Sequence, residues 1–263
     1  LVLVTFSSAP ASAQSRRRRA RTPISSAALP TVLAGVGALG AGVAFHLVSN
    51  TSAPDPVSVW RGGIVLDEGT RDGMRLRAPE ARETAATISD ALMIATILNA
   101  VVIDALVIPL AQDDPHLSWQ ASTAYALALG VTLLLNDVAK EMFNRARPYE
   151  RECVQDPTSP GCSSPDTYAS FYSGHTAVAF TSAGFSCAMH LSRSLYGDTG
   201  ADAAACGGSL ALAAATGLLR IASDRHYVSD VVVGALIGFA VGYLVPLVFV
   251  PDRVAPPEPT ELD

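Results

Sequence analysis

Residues 231–250 read VVVGALIGFAVGYLVPLVFV, an unbroken apolar run without a charged residue. A helix rises ~1.5 Å per residue, so a run of this length covers roughly the ~30 Å hydrocarbon layer of a bilayer. Further apolar segments lie toward the N-terminus, at about 207–222, 175–191, 119–139 and 88–111, with a Gly- and Ala-rich one at 29–48. None alternates with a period of two, so the chain reads as all-α. The expected architecture is a helical bundle with five to six transmembrane helices, although the alanine-rich segments read equally as core helices. Asp104 stands inside segment 88–111 and is costly in lipid unless it faces protein.

Around these segments the chain divides into four parts. Residues 1–28 form a signal-like or leader segment: LVLVTFSSAPASAQS ends in an A-x-A pattern at Ala11 to Ala13, and Arg16 to Arg19 with Arg21 follow. Residues 29–87 hold an apolar helix, then a polar stretch with Pro54, Pro56, Gly62 and Gly63 that reads as a loop plus an amphipathic helix. Residues 88–250 are the helical core. Residues 251–263, PDRVAPPEPTELD, are polar and proline-rich and read as a disordered tail.

Composition narrows the functional classes. Of 263 residues 49% are hydrophobic and 16% charged, which is too apolar for an average soluble domain. The net charge of −6 argues against nucleic acid as a partner, because phosphate backbones demand a basic surface. Cys153 and Cys162 bracket a loop rich in Pro, Ser and Gly, where a disulfide fits an oxidising compartment. Cys187 and Cys206 lie in apolar segments and read as buried small residues. No CxxC or His/Cys cluster has metal-ligand spacing; no cofactor is expected.

Three polar islands stand at the ends of the apolar segments. In the first, Lys140 and Arg147 are seven residues apart and project from nearly one helical face, with Pro148 marking the exit. Two such cations can clamp a phosphate or simply snorkel at a membrane boundary. In the second, Ser173-Gly174-His175 precedes an apolar helix; a helix start with a glycine admits an anion closely. In the third, His226 and Asp230 are four apart and share a face, with Arg220 across a turn. A carboxylate on one imidazole nitrogen fixes the tautomer and leaves the other free to attack.

Taken together, the islands resemble the signature of the type 2 phosphatidic acid phosphatase and vanadium haloperoxidase superfamily: K-x6-RP, then PSGH, then SR-x5-H-x3-D. The internal spacings are intact from Lys140 to Pro148, Ser173 to His175 and Arg220 to Asp230. Tyr172 stands where the family has Pro, and Leu219 where it has Ser. The resemblance covers residues 88–250. It implies a lipid phosphatase acting on a phosphomonoester or diphosphate without metal. His226 would attack phosphorus and form a phosphohistidine, Asp230 would orient it, and His175 would protonate the leaving oxygen. Lys140, Arg147, Arg220, the Ser173 hydroxyl and the Gly174 N–H would hold the phosphate oxygens.

In an alternating bundle all three islands fall at one membrane face, together with the Cys153–Cys162 loop. That face is then extracytoplasmic, and a bacterial-type inner membrane is the expected location. Three other readings remain open on the sequence. They are a secreted soluble acid phosphatase of the same superfamily, a vanadate-dependent haloperoxidase, and a non-catalytic lipid-binding membrane protein.

Overall fold

The computed structural model describes residues 35, 37–44, 47, 60–158, 162 and 164–250. The leader at 1–28 and the tail at 251–263 lie outside the described residues. Seven helices carry the fold: α1 (Asp67–Met74), α2 (Pro79–Ala111), α3 (Pro115–Phe143), α4 (Glu150–Gln155), α5 (Gly174–Arg193), α6 (Thr199–Ala222) and α7 (Val228–Phe249). Residues 37–44 are also helical. Among the described residues there is no strand, only one isolated bridge between Trp60 and Arg145. The protein is an all-α bundle.

Local chemistry explains where the helices begin and end. Asp114 caps α3 by accepting from the Leu117 N–H at 3.0 Å, and Pro115 occupies the first helical position, where its missing donor is not needed. Asn144 ends α3 in the left-handed conformation at φ 38°. Ser173 caps α5, and the Asp198 carboxylate caps α6 through the Ala201 N–H at 2.7 Å. At the head of α7 the Asp230 carboxylate reaches back to the Tyr227 N–H at 3.0 Å.

Helix α2 starts at Pro79, earlier than its apolar run suggests, because its first turns are polar and lie outside the hydrophobic stretch. Residues Asn99–Val107 of α2 wind as a π-helix. Helices α2, α3, α6 and α7 are each long and apolar enough to cross a membrane.

Helix α5 sits in the middle, packed by α2, α3, α6 and α7. Its sequence, GHTAVAFTSAGFSCAMHLSR, is less apolar than its burial implies. Thr181, Ser182 and Ser186 are buried there and bond to Thr132, Tyr125 and Asp104 respectively. Close approach to α7 is made possible by Gly234, Gly238 and Gly242 at four-residue spacing. A Cβ on Gly238 would land on the Ala177 carbonyl, and one on Gly242 on the Thr181 carbonyl. Small residues at such positions let backbones meet and pack without a hydrophobic driving force.

Two features revise the sequence reading. Cys187 and Cys206 are buried as expected, but they are bonded to each other, joining α5 to α6. The two helices approach to a Cα separation of 4.4 Å at that point, a tertiary proximity that residue spacing does not encode. Asp104 faces protein: it is 1% exposed and accepts from Asn99 at 3.1 Å, from Ser186, and from His190 at 3.2 Å. The other nitrogen of His190 meets Asp202 at 2.7 Å. This polar knot lies toward the C-terminal end of α5, away from His175.

Candidate active site

Arg147 leaves α3 on an extended segment that bonds through its backbone N–H to the Thr167 carbonyl at 2.8 Å. Its guanidinium stands with Nη1 3.4 Å from the His226 Nε2. The other ring nitrogen of His226, Nδ1, lies 2.9 Å from the Ser170 carbonyl and 3.6 Å from the Asp230 carboxylate. A carbonyl only accepts, so Nδ1 carries the proton and Nε2 keeps its lone pair, directed at the Arg147 side. The expected Asp230 partner is therefore one step back. Its carboxylate accepts from the Ser170 hydroxyl at 2.7 Å and from Arg145 at 2.5 Å.

The turn that presents His226 is built on the Arg220 carbonyl, which accepts from the Arg225 and His226 N–H groups at 3.1 and 3.3 Å. Asp224 sits inside that turn with φ 61° and no exposure. Arg71 of α1 holds its carboxylate with two bonds of 2.7 Å, and Arg75 adds a contact at 2.9 Å. The polar stretch before α2 thus clamps the loop that carries the imidazole.

His175, in the first turn of α5, points Nε2 at Asp90 of α2 across 3.0 Å. Arg220 bonds the same Asp90 oxygen. One carboxylate therefore aligns the second histidine and a guanidinium. Burial pushes the His175 imidazole down to about 4, with Asp90 pulling the other way and Arg220 adding to the depression. Burial also holds His226 well below its ordinary value, reinforced by the charges of Arg147, Arg220, His175 and Lys140. Both rings are thereby biased toward the neutral form in the free protein, although the half-exposed His175 keeps Asp90 within reach at 3.0 Å.

Lys140 lies in the last turn of α3, 3.9 Å from Asp137. Ser173 is fully buried. Its hydroxyl accepts from the Thr176 N–H at 3.4 Å and pairs with the Thr176 hydroxyl at 2.9 Å. Its backbone N–H bonds the Asp230 carbonyl at 3.1 Å, which ties the second island to the third. Gly174 packs against α3, where a Cβ would approach Asn136 Oδ1 to 2.7 Å. Asn136 in turn donates to the Tyr172 carbonyl at 2.8 Å. All eight residues singled out in the sequence occupy this one end of the bundle.

Four important residues were not singled out: Asp90, Arg145, Ser170 and Asp67. Arg145 is wholly buried between the rings of Trp60 and Tyr227, at 4.0 and 4.2 Å from their centroids. Asp90 carries a faint sequence signal, as a carboxylate within an otherwise apolar stretch. Ser170 acts largely through its backbone, which leaves no signal in side-chain chemistry.

The PAP2 superfamily model matches residues 121–253, about half of the chain, and those residues hold all three islands. The chain belongs to the PAP2 superfamily. No curated protein and no solved structure matches it with significance. Membership implies a phosphatase-type or related activity on a phosphate ester, and the four long apolar helices imply association with a membrane.

Proposed function

We propose that this PAP2 protein hydrolyses a phosphomonoester or diphosphate of a lipid through a phosphohistidine on His226. The observation that carries the reading is the orientation of that ring: Nδ1 is held by the Ser170 carbonyl, and Nε2 faces Arg147. Such a nitrogen is a poised nucleophile. It attacks phosphorus as the bond to the leaving oxygen breaks, and His175 donates a proton to that oxygen. Water then attacks the phosphohistidine and gives its proton to His175, the P–N bond breaks, and inorganic phosphate leaves.

Phosphoryl transfer depends mostly on positioning and charge stabilisation. Lys140, Arg147 and Arg220 supply that charge, with the first-turn N–H groups of α5, Gly174 among them, as added donors. The proposed reaction requires no metal ion. His175 must gain a proton to act as an acid. A bound phosphate dianion beside it favours that protonation, and Asp90 stabilises the resulting imidazolium.

A lipid substrate is supported by the apolar flanks. Leu236, Leu244 and Val248 of α7 are 67%, 56% and 71% exposed, so an acyl or prenyl tail can lie along the helices while its phosphate enters the cluster. The Cys153–Cys162 disulfide joins α4, which follows Arg147, to Cys162, on the side of the site. That favours an oxidising, extracytoplasmic face, in a bacterial-type inner membrane. The test is phosphate release by the detergent-solubilised protein, in chelator, from lipid monophosphates, lipid diphosphates and water-soluble phosphate esters. Faster turnover of the lipids supports the reading; preference for the soluble esters, or an absolute need for a divalent cation, contradicts it.

A further inference from the structure

Asp67 lies outside the residues the family model matches, yet it is fully buried beside the third island. Its carboxylate accepts from Arg145 at 2.8 Å, from the Ser229 N–H and hydroxyl at 2.8 and 2.7 Å, and from the Ile64 N–H at 2.8 Å. Arg145 divides its guanidinium between Asp67 and Asp230. The Asp67 carboxylate is taken up by Ile64, Arg145 and Ser229, so its influence on His226 passes through the Arg145–Asp230 pair.

We propose that Asp67 is a positioning residue for the phosphohistidine reaction, one that offsets the Arg145 charge so that the buried Arg145–Asp230 pair still presents net negative charge to the His226 imidazole. The inference rests on the reading of His226 as nucleophile. A buried carboxylate paired one-to-one with a guanidinium presents no net charge to a third group. With two carboxylates on one guanidinium the trio is net negative, and its Asp230 end lies 3.6 Å from Nδ1 of His226. The imidazole becomes cationic as it bonds phosphorus, so a negative group behind it stabilises the transition state.

Geometry holds the trio in place. Arg145 is clamped between the faces of Trp60 and Tyr227, which leaves its fork little freedom to turn from one carboxylate to the other. Arg147 from the segment after α3, Arg220 from α6, His175 from α5 and Lys140 from α3 also act on His226, with Asp166 beside Arg147 and Asp90 beside His175 and Arg220. Asp230 stands 3.6 Å from Nδ1 of the ring, so an Arg145 charge left without Asp67 to offset it would cancel the field of Asp230 there.

The test is the pH profile of kcat/KM for phosphate release by the full chain in detergent. It compares wild type, Asp67→Asn, Asp67→Glu and the double variant Asp67→Asn with Arg145→Gln. Removing one negative charge disfavours the His226 imidazolium, so Asp67→Asn shifts the acid limb to lower pH by about half a unit or more. It lowers kcat by about tenfold while KM changes much less. The double variant removes both charges and returns the limb toward wild type. Asp67→Glu keeps the charge and leaves the limb in place even if its melting temperature falls. This comparison decides the matter should Asp67→Asn not fold, because a displaced limb in Asp67→Glu contradicts the proposal. An unmoved limb in folded Asp67→Asn overturns it and leaves Asp67 as a structural staple. Full activity in His226→Ala is a different failure, since it removes the nucleophile assignment itself.

Discussion

His226 directs Nδ1 to the Ser170 carbonyl at 2.9 Å, while the Asp230 carboxylate stands 3.6 Å from the same atom. The backbone therefore sets the tautomer, and the carboxylate contributes charge from behind. Ser170 links the two, because its hydroxyl bonds Asp230 at 2.7 Å and its N–H bonds the Arg145 carbonyl at 3.0 Å.

This arrangement separates two substitutions. Where a carboxylate alone holds a catalytic imidazole, its conversion to the amide costs about 10⁴-fold in rate through the wrong tautomer. Here the carbonyl remains, so Asp230→Asn should lose roughly 10²-fold, the electrostatic share only. His226→Ala should abolish turnover with the helical content unchanged. Steady-state rates and far-ultraviolet circular dichroism on both variants check this. Equal loss in the two variants, with both folded, would place the orienting role on Asp230 after all.

Asp90 aligns His175 and Arg220 together. His175→Ala should hurt most with a poor alkyl leaving group and least with an activated aryl phosphate, since the acid matters only when the leaving oxygen is basic. Asp90→Asn should show the same leaving-group pattern at smaller size, with a raised KM from the loosened Arg220. Rates on an alkyl and an aryl ester decide it; identical losses on both esters argue against the acid role.

Stability should fall on the acid side. An unfolded histidine takes its proton near 6.5, whereas His175 is held down to about 4 and His226 is held well below 6.5. Between those values the unfolded chain binds more protons, so folding weakens as pH drops through that window. Asp67, held below its usual range despite burial by its hydrogen bonds from Ile64, Arg145 and Ser229, extends the loss to still lower pH. The His175 share of this loss should show as a shallower decline in melting temperature between about pH 6.5 and 4 in His175→Ala than in the wild type. An equal or steeper decline in His175→Ala would contradict the lowered affinity of that ring for a proton.

The α5–α7 contact makes a packing prediction. Gly238→Ala forces a methyl against the Ala177 carbonyl and should destabilise by ~1–3 kcal/mol. Gly207→Ala, on α6 with nothing within 4 Å of the added atom, should be neutral or slightly stabilising. Thermal unfolding of the two variants side by side checks it, and equal behaviour would mean that the glycines do not govern the helix approach.

Much of this was legible in residue order. The long apolar runs place α3, α6 and α7, and the islands within which Lys140, Arg147, His175, Arg220 and His226 stand are the ones the fold gathers at one end of the bundle. The apolar runs and the spacings inside each island are local, repeated every turn or every few residues. The Cys187–Cys206 bond, the Asp67–Arg145–Asp230 trio and the Asp90 bridge were not legible, because each joins segments far apart in sequence. Arg145 lay within the first island but reads as one more cation until its burial between two rings is seen. The early start of α2 was missed for a different reason: its first turns are held by polar contacts, among them Arg82 with Glu152 at 2.9 Å, and carry no apolar run.

The central claim is the covalent step, and a trapping measurement meets it most directly. The purified protein is mixed with a lipid phosphate labelled at phosphorus, quenched in alkali within a single turnover, and digested for peptide mapping. Phosphohistidines survive alkali, so the label should appear on the peptide containing His226 and vanish in His226→Ala. Label on another residue, or turnover with no labelled peptide under conditions that preserve phosphohistidine, would contradict the mechanism.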